Sequence, residues 1–404
     1  MDNQVTESTE TMKKVKWFTA FAILMLPTTW NFEAAAIGPA LGLMAEHFPA
    51  ASTLQVQLIM TMPFLGSLIF SVIAGKLCDY FSKKYITVIG LLIYGIMGLL
   101  PGIIDMNLNL ILLIRFLTGV GCGLVLPIPN MLVTENYPVG KRRERMLGLN
   151  STFYNLSCII ISIVVGIMLI NGWRWAFYSF VFIFVVLIIA LGGIPNKKPE
   201  AVQKNTGEKV KVPPYAYFMA LMMICTMIFT GFITSSIALF VTNEAMAGVA
   251  IIGLLLALPG GGAFITSPFY PEILKRFGRF TGAFGCILAA FGFLFAYTAN
   301  SVPTLIISIL FMGLGNGVMM PHVLYSTSTH VTERQRDASM GIVSGCIHAA
   351  FVISPFVQAF IFKVAGFESF RLLYMVCGIS LAVGAVCCAI YSFTRKNDKS
   401  KIVA

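Results

Sequence analysis

The stretch that decides the fold is GVGCGLVLPI at residues 119–128, because the chain repeats its pattern as GLGNGVMMPH at residues 313–322. At an offset of 194 residues (313 minus 119), three glycines and one proline of the first copy fall on the same residue types in the second. A repeat of this kind indicates that the chain consists of two related halves. We therefore expect each half to contain the same elements in the same order.

The composition indicates the environment of both halves. Hydrophobic residues make up 57% of the 404-residue chain and charged residues 11%, whereas a soluble domain carries about 25% charged residues. Apolar runs of roughly 20 residues, enough to cross about 30 Å of hydrocarbon as a helix, recur along the chain. Runs of this length predict helices and exclude an outer-membrane β-barrel. The predicted fold is an all-α membrane protein with twelve transmembrane helices in two pseudo-symmetric six-helix bundles, at residues 15–37, 53–74, 85–103, 109–133, 148–170, 175–195, 215–240, 249–270, 280–298, 303–326, 340–364 and 370–393.

The basic residues indicate the orientation in the membrane. The net charge is +11, and all 28 Lys and Arg except Arg115, Arg174, Lys363 and Arg371 fall in segments on the same side as the N-terminus. Short loops rich in Lys and Arg stay in the cytoplasm. We therefore expect a multi-pass protein of the cell inner membrane with both termini in the cytoplasm. The basic excess is interpreted as a topology signal and not as a nucleic-acid footprint.

One polar segment, residues 196–214, is long enough to act as a cytoplasmic linker. It separates a predicted N-terminal six-helix bundle at residues 1–195 from a C-terminal six-helix bundle and cytoplasmic tail at residues 215–404. Two parallel repeats form a cleft, and rocking of one half against the other opens a midplane site to either side. The repeated glycines keep one helix face smooth, which permits either sliding of a neighbouring helix or simply close packing.

Two motifs carry a family resemblance. The loop after the second predicted span reads GKLCDYFSKKY at residues 75–85, and the fourth span reads RFLTGVGCG at residues 115–123. At these positions the major facilitator superfamily has Gly-x-Leu-x-Asp-x-x-Gly-Arg-Lys and Arg-x-x-x-Gly-x-Gly-x-Gly, although Ser82 replaces the second glycine of the loop motif. The chain resembles that superfamily over all twelve predicted spans. The resemblance implies a twelve-helix secondary transporter.

The loop motif contains a candidate gating latch formed by Gly75, Asp79, Lys83 and Lys84. Asp79 lies beside basic residues at the inner end of the second predicted span. Charge-assisted hydrogen bonds from it are expected to hold the two halves closed on the cytoplasmic side. The alternative is a solvated loop charge, because exposed ion pairs usually contribute under about 1 kcal/mol.

Glu33 is the one carboxylate deep inside a predicted span, and Arg115 lies at a similar depth in the fourth span. An ionisable group in hydrocarbon costs roughly 3 kcal/mol, so each needs a partner or a function. We expect the two side chains to face one another, with the arginine holding Glu33 ionised until a proton or substrate intervenes. Glu33 then carries the coupled proton and Arg115 sets its affinity. The alternative is a permanent structural ion pair.

Several aromatic and polar side chains within the spans are candidates for lining a substrate cavity. Trp30 precedes Glu33 by three residues and is expected to share its helix face, where the indole can stack on a flat or cationic solute. Histidine titrates near neutral pH and can relay a proton. No metal site and no cofactor is expected, because the histidines lack carboxylate or thiolate neighbours. Each candidate is alternatively a helix-packing residue; the set is Trp30, Tyr154, Asn155, Asn316, His322 and His348.

These features predict a secondary active transporter, and not an enzyme, that moves a small organic solute by alternating access and is driven by protons. The solute is expected to be a metabolite or an organic anion. The other expected partners are protons and membrane lipid, with no nucleic acid, and the expected state is a monomer. The chain contains no Walker loop and no Gly-x-Ser-x-Gly motif, so neither an ATPase nor a serine hydrolase is expected.

Two alternatives remain within transport, a proton-coupled multidrug efflux antiporter and an uncoupled facilitator. Drug antiporters of the superfamily that this chain resembles commonly carry a Gly-Pro-x-x-Gly-Gly run in the fifth helix. The fifth span here contains LSCIIISIVVGIMLI instead. The missing run favours uptake or exchange over drug efflux.

Overall fold

The structure is a computed structural model that describes residues 17–30, 32–137, 141–197, 212–244, 248–329, 331 and 333–394. Within these ranges the regular structure is helical and contains no strand. The predicted all-α fold is therefore confirmed. Most of the predicted linker at residues 196–214, and the residues before 17 and after 394, lie outside the described ranges.

The helices of these ranges form twelve spans, which confirms the predicted number. Ten helical runs are long and apolar enough to cross a membrane, and one bent pair adds an eleventh. One of the ten, Ile251–Tyr297, contains two spans joined by short turns. The bounds of span 1 to span 12, in chain order, are Trp17–His47, Thr53–Leu77, Lys83–Ile103, Leu108–Asn136, Lys141–Met168, Trp175–Gly193, Pro214–Asn243, Val249–Thr266, Thr281–Tyr297, Val302–Thr329, Glu333–Ala365 and Phe370–Thr394.

Span 1 is broken and extends further than the sequence predicted. It consists of helices Trp17–Met25, Phe32–Ile37 and Leu41–His47, with intervening 3-10 turns that each carry a proline at their second position. Proline has no amide hydrogen and its ring clashes with the preceding turn, so these residues interrupt the helix. The two parts of the span meet at 53°. The predicted end at residue 37 is wrong, and Glu33 lies near the middle of the span instead of near its end.

Spans 3 and 4 begin at side-chain caps. The Asn107 side chain accepts a hydrogen bond from the amide of Leu110, at 2.9 Å. Ser82, which replaces the glycine of the loop motif, accepts one from the amide of Tyr85 at 3.4 Å. A helix begins with amide groups that lack partners inside the helix, and these caps supply a partner. The departure from the motif at residue 82 thus has a local structural role.

The repeated glycine motif packs spans 4 and 10 against their neighbours in the same way. A methyl group added at Gly119 would overlap the backbone of Pro63 in span 2. One added at Gly313 would lie 2.5 Å from the carbonyl oxygen of Pro259 in span 8, closer than a real Cβ approaches. Both glycines therefore permit a backbone contact that no other residue would allow.

The helix pairs of the two halves repeat one another. In the first half span 4 packs against spans 2 and 3, and in the second half span 10 packs against spans 8 and 9. Between the halves, span 5 packs against span 8 and span 11 packs against span 2. Spans 2 and 8 are counterparts in the repeat, and so are spans 5 and 11. The two contacts between the halves are therefore equivalent, as a pseudo-twofold axis requires. The predicted pair of pseudo-symmetric bundles is confirmed.

The halves meet at the end of the molecule that carries Thr53, which we name the Thr53 end. The Thr53 hydroxyl donates a hydrogen bond of 2.6 Å to the carboxylate of Glu368, which follows span 11. The side chain of Gln57 donates to the carbonyl oxygen of Ser235 in span 7, at 3.3 Å. Spans 2, 7 and 11 are therefore joined across the two halves at this end.

An exposed ion pair fastens span 7 to span 12 within the C-terminal half. Arg371 donates to both carboxylate oxygens of Glu244, at 3.2 and 3.0 Å. These hydrogen bonds, together with the positive charge, hold the pKa of Glu244 below its ordinary value of 4.5. Because the pair is partly exposed, its contribution to stability is under about 1 kcal/mol.

Candidate functional site

Glu33 and Arg115 form an ion pair inside the N-terminal half. Glu33 lies on the central helix of span 1, Phe32–Ile37, and Arg115 lies on span 4. The Nη2 group of Arg115 donates to Oε2 of Glu33, and the side chains are 0% and 2% exposed respectively. Since both charges are removed from water, each depends on the other for compensation.

Spans 2 and 6 complete the surroundings of Arg115. Its Nε donates to the carbonyl oxygen of Ile59 in span 2, at 2.8 Å. Its guanidinium carbon lies 5.5 Å from the ring centre of Phe180 and 5.8 Å from that of Phe177, within reach of a cation–π attraction. The guanidinium is thus held from spans 1, 2 and 6 at once. The geometry fixes its position and its orientation.

Tyr94 of span 3 stabilises the break in span 1 next to this pair. The Tyr94 hydroxyl donates to the carbonyl oxygen of Thr29 at 3.0 Å, and the Thr29 hydroxyl donates to the carbonyl oxygen of Leu26 at 2.8 Å. A broken helix frees backbone carbonyl groups, which need partners in an apolar interior. Sequence reasoning missed Tyr94. The available signal was its position as the one side chain with a polar group in the stretch 88–103 of span 3.

The ion pair leaves one polar atom on each side without a partner. In the described ranges, neither Oε1 of Glu33 nor Nη1 of Arg115 makes a hydrogen bond. A buried polar atom without a partner costs about 1–3 kcal/mol, so a water molecule or a polar solute that supplies the missing hydrogen bonds would be stabilised here. Protonation of Glu33 alone would leave Arg115 charged and without a counter-ion. The predicted proton binding at Glu33 therefore requires another change at this site.

Trp30 and Tyr154 lie together, and their position corrects the predicted relation of Trp30 to Glu33. The two ring centres are 6.0 Å apart. Trp30 ends the first 3-10 turn of span 1, so the helix face expected to carry both Trp30 and Glu33 is not continuous. Glu33 faces span 4, whereas Trp30 faces span 5. The indole Nε1 of Trp30 is buried and meets no acceptor among the described residues, which leaves a donor for a solute.

Asn155 and Asn316 belong to different halves. Asn155 follows Tyr154 on span 5 and is half-buried. Asn316 lies in the repeated motif of span 10, and its buried Oδ1 has no hydrogen-bond donor within the described part of the chain. Both side chains stay predicted cavity residues.

His348 of span 11 lies where the two halves touch. Its ring centre is 6.1 Å from that of Phe64 in span 2, and Phe64 stacks on Phe351 with ring centres 4.7 Å apart. Spans 2 and 11 come from different halves, so His348 is placed where a movement of the halves changes its surroundings.

His322 differs from His348 in its environment. Its Nδ1 lies 3.2 Å from the hydroxyl of Tyr270, just beyond span 8, and its ring packs beside Gly282 of span 9. These contacts are internal to the C-terminal half. His322 thus packs beside spans 8 and 9, and a role in lining the substrate cavity stays a prediction.

Lys83 of the predicted gating latch pairs with a residue other than the expected Asp79. Lys83 forms an ion pair with Glu135 at the end of span 4, so that this pair joins two spans of the same half. Asp79 is exposed, and no ion pair joins it to Lys83 or Lys84 among the side chains that the structure describes. A methyl group added at Gly75 would meet nothing within 4 Å. In this conformation the loop does not connect the halves through an Asp79–lysine pair.

Comparison with known families identifies the fold that holds this site. The sequence model of the Major Facilitator Superfamily matches residues 19–230 and again residues 219–403. The chain belongs to the Major Facilitator Superfamily. The two matches follow the two halves of the repeat, and the resemblance carried by residues 75–85 and 115–123 is confirmed.

Several bacterial proteins are similar to parts of this chain. The multidrug efflux pump SdrM of Staphylococcus aureus is 23% identical over 209 residues, 51% of this chain and 45% of SdrM. The quinolone resistance protein NorB of Staphylococcus aureus is 26% identical over 187 residues, 45% of this chain and 39% of NorB. The multidrug transporter protein MdtP of Bacillus subtilis is 32% identical over 123 residues, 30% of this chain and 22% of MdtP. The matched stretches span less than half the length of these relatives.

Solved structures share the superfamily fold along almost the whole chain. A bacterial homologue of the human lysosomal transporter Spinster, in an inward-facing and unoccupied conformation, has a TM-score of 0.73 and 14% identity, and covers 95% of this chain and 97% of its own. A D-xylose–proton symporter has a TM-score of 0.72 and 16% identity, and covers 93% of this chain and 97% of its own. At these identities the likeness shows the fold alone.

Proposed function

We propose that this superfamily member is a secondary active transporter that moves a small organic solute across the bacterial inner membrane and couples the movement to protons. The buried Glu33–Arg115 pair, near the middle of span 1, is the observation that carries the proposal. An ionisable residue inside a membrane domain marks a functional site. Two related halves in contact at one end provide the architecture for alternating access.

Coupling follows from the electrostatics of the pair. With Glu33 ionised, the charge of Arg115 is compensated inside the protein. With Glu33 protonated, Arg115 becomes available to an anionic or polar group of a solute, or the halves must rearrange to bring it another partner. The unmatched donors on Arg115 and Trp30 are the groups that such a solute would contact. The substrate class that fits is a small organic anion or a flat aromatic molecule.

We also propose the orientation and the division of the chain. Lys76, Lys83 and Lys84 lie at the end of span 2 that is opposite to Thr53, so the positive-inside rule puts that end and both termini in the cytoplasm. The Thr53 end then faces outward and is the closed end. Residues 1–195 and 215–404 act as two units joined by the linker at 196–214, which the double family match supports. The transporter acts as a monomer among lipids.

Replacement of Glu33 by glutamine tests the proposal. Glutamine keeps the size of the side chain and still accepts a hydrogen bond, but it does not ionise. In proteoliposomes with an imposed pH gradient, we expect the wild-type protein to accumulate a solute from a panel of organic anions and quinolones. We expect Glu33→Gln to lose accumulation but to keep exchange of the same solute down its own gradient.

The control is Glu46→Gln, on the exposed end of span 1, which should accumulate solute like the wild-type protein. Solute flux through the wild-type protein that does not respond to the pH gradient would contradict proton coupling and indicate an uncoupled facilitator.

A second candidate function is proton-coupled efflux of drugs. The names of SdrM, NorB and MdtP favour it, and the Trp30–Tyr154 aromatic pair suits a flat drug ring. Efflux and uptake predict opposite responses in inside-out vesicles with an acidic lumen. An antiporter would take up a quinolone in exchange for luminal protons, whereas a symporter would release its solute together with them.

A further inference from the structure

A cavity of about 500 Å³ lies between spans 2 and 11 at the Thr53 end, apart from the Glu33–Arg115 pair. This volume falls in the range of about 300–1,000 Å³ that small-molecule sites occupy. Its walls carry both polar and aromatic side chains, including Thr53, Gln57, Gln358, Phe362, Lys363 and Glu368. None of the residues assigned above to proton coupling or to the substrate cavity lines it.

Gln358 distinguishes this cavity from an ordinary packing gap. Its side chain is 1% exposed, and across the described residues neither its Oε1 nor its Nε2 has a hydrogen-bond partner. Gln57, on the opposite wall, is equally buried but donates to the carbonyl oxygen of Ser235. A buried amide with an unmet donor and an unmet acceptor is costly unless a ligand or water satisfies both.

The symmetry-related contact between spans 5 and 8 is closely packed at the equivalent position. Gln57 corresponds to Gly253 at an offset of 196 (253 minus 57), the offset that also relates Pro63 to Pro259. A methyl group at Gly253 would lie 2.8 Å from the Cα of Gly166 in span 5. Glycine thus lets spans 5 and 8 touch, whereas the equivalent position of span 2 carries the Gln57 side chain, which lines the cavity. The two equivalent interfaces of the shared fold therefore differ at this position.

We propose that this cavity is a second binding site, for a small molecule with a flat apolar body and a carboxamide, lactam or ureido edge. Such an edge presents a donor and an acceptor side by side and matches both unmet atoms of Gln358. Because these atoms are buried, the proposal includes a turn of the Gln358 side chain into the cavity when the molecule binds. Phe362 supplies the apolar wall for the body of the molecule. Because spans 2 and 11 come from different halves, the bound molecule contacts both halves at their closed end.

Benzamide is the probe for the test, with benzoate and acetophenone as analogues that lack the paired donor and acceptor. Its binding to the purified full-length protein in detergent is measured by calorimetric titration. We expect one benzamide per chain, and binding at least tenfold weaker for both analogues. In Gln358→Leu, which keeps the volume but removes both polar atoms, benzamide should also bind at least tenfold more weakly.

Gln358→Leu is expected to fold, because an apolar side chain of similar size relieves the unsatisfied amide. Its melting temperature without ligand should equal or exceed that of the wild-type protein. Ala359→Phe tests the location, since Ala359 lines the cavity and an added ring would fill it. The matched control is Val364→Phe on the exposed face of span 11, which should bind benzamide like the wild-type protein.

Equal benzamide affinity in the wild-type protein, Gln358→Leu and Ala359→Phe would overturn the proposal. So would the absence of binding at millimolar benzamide, which would mean that the cavity holds water only. The readout is binding and not transport, so this test stands whether or not Glu33 couples protons.

Discussion

Arg115 is the residue on which the interior of the N-terminal half most depends, because three neighbouring spans compensate its charge. Glu33 supplies the counter-charge, the Ile59 carbonyl accepts from Nε, and the rings of Phe177 and Phe180 lie within cation–π distance. A lysine could not reproduce this arrangement, because an ammonium group lacks the planar set of donors that contacts two spans at once.

Removal of Arg115 alone should therefore destabilise the fold. Breaking a buried ion pair by deleting one partner costs about 3–5 kcal/mol, because the remaining charge has no compensation. We expect Arg115→Leu to lower the melting temperature in detergent strongly. The double variant Glu33→Gln with Arg115→Leu should recover most of the loss, since it leaves no buried charge. A double variant no more stable than Arg115→Leu would contradict this account.

At this scale the sequence could predict the partners but not their surroundings. Glu33 and Arg115 stand out because charged residues inside apolar runs are rare. Counting from the predicted span ends also put both at a comparable depth, although the predicted end of span 1 was wrong. The Ile59 contact could not be predicted, because a backbone carbonyl has no signature in the sequence. Gln358 also escaped notice, since an unsatisfied amide is recognised only once its neighbours are known.

Among the elements, span 1 shows how a local interruption positions a functional residue. Pro27 and Pro39 mark the two 3-10 turns, and the bend between them turns Glu33 toward span 4. Apolar content alone placed the end of this span at residue 37, because the stretch up to His47 contains charged and titratable residues. The prolines were available as signals, but the direction of a bend depends on tertiary contacts such as Tyr94 to Thr29.

Spans 4 and 10 should share a sensitivity to any side chain at their motif glycines. Gly119→Ala and Gly313→Ala each force a methyl group into the backbone of a neighbouring span, an overpacking that costs about 1–3 kcal/mol. We expect both variants to melt several degrees below the wild-type protein in detergent.

Gly384→Ala is the matched control for these variants, because an added methyl group at Gly384 of span 12 meets nothing within 4 Å. Alanine favours a helix by up to about 1 kcal/mol over glycine, so this variant should melt at or slightly above the wild-type temperature. If all three variants melted alike, close approach of the backbones would not be the reason for the motif.

The overall architecture is the level of structure that the sequence predicts most directly, because a repeat predicts symmetry without any knowledge of contacts. The twelve spans, the two bundles and the exchanged partners between the halves all derive from the doubled pattern. The repeat does not predict the structural features in which its two copies differ. Gln57, at the position equivalent to Gly253, lines a cavity at one of the two equivalent interfaces, whereas Gly253 permits close helix contact at the other.

The contact between Thr53 and Glu368 is a place where the halves can be locked together. If transport requires the Thr53 end to open, a covalent link between these positions should stop it while the fold stays intact. We expect Thr53→Cys with Glu368→Cys, in a background without the native cysteines, to react with a short cleavable thiol crosslinker. Solute accumulation in proteoliposomes should then fall to near background and return when the crosslinker is reduced.

The pair Glu244→Cys with Arg371→Cys provides the control, because it joins spans 7 and 12 within one half at the same end of the molecule. Crosslinking there constrains neighbouring helices that should move as one body, so accumulation should persist at close to the rate of the untreated variant. A loss of transport in both pairs would point to a general effect of the reagent. Wild-type transport by protein that is fully crosslinked between residues 53 and 368 would mean that this end does not open, and alternating access by rocking of the two halves would then be wrong for this chain.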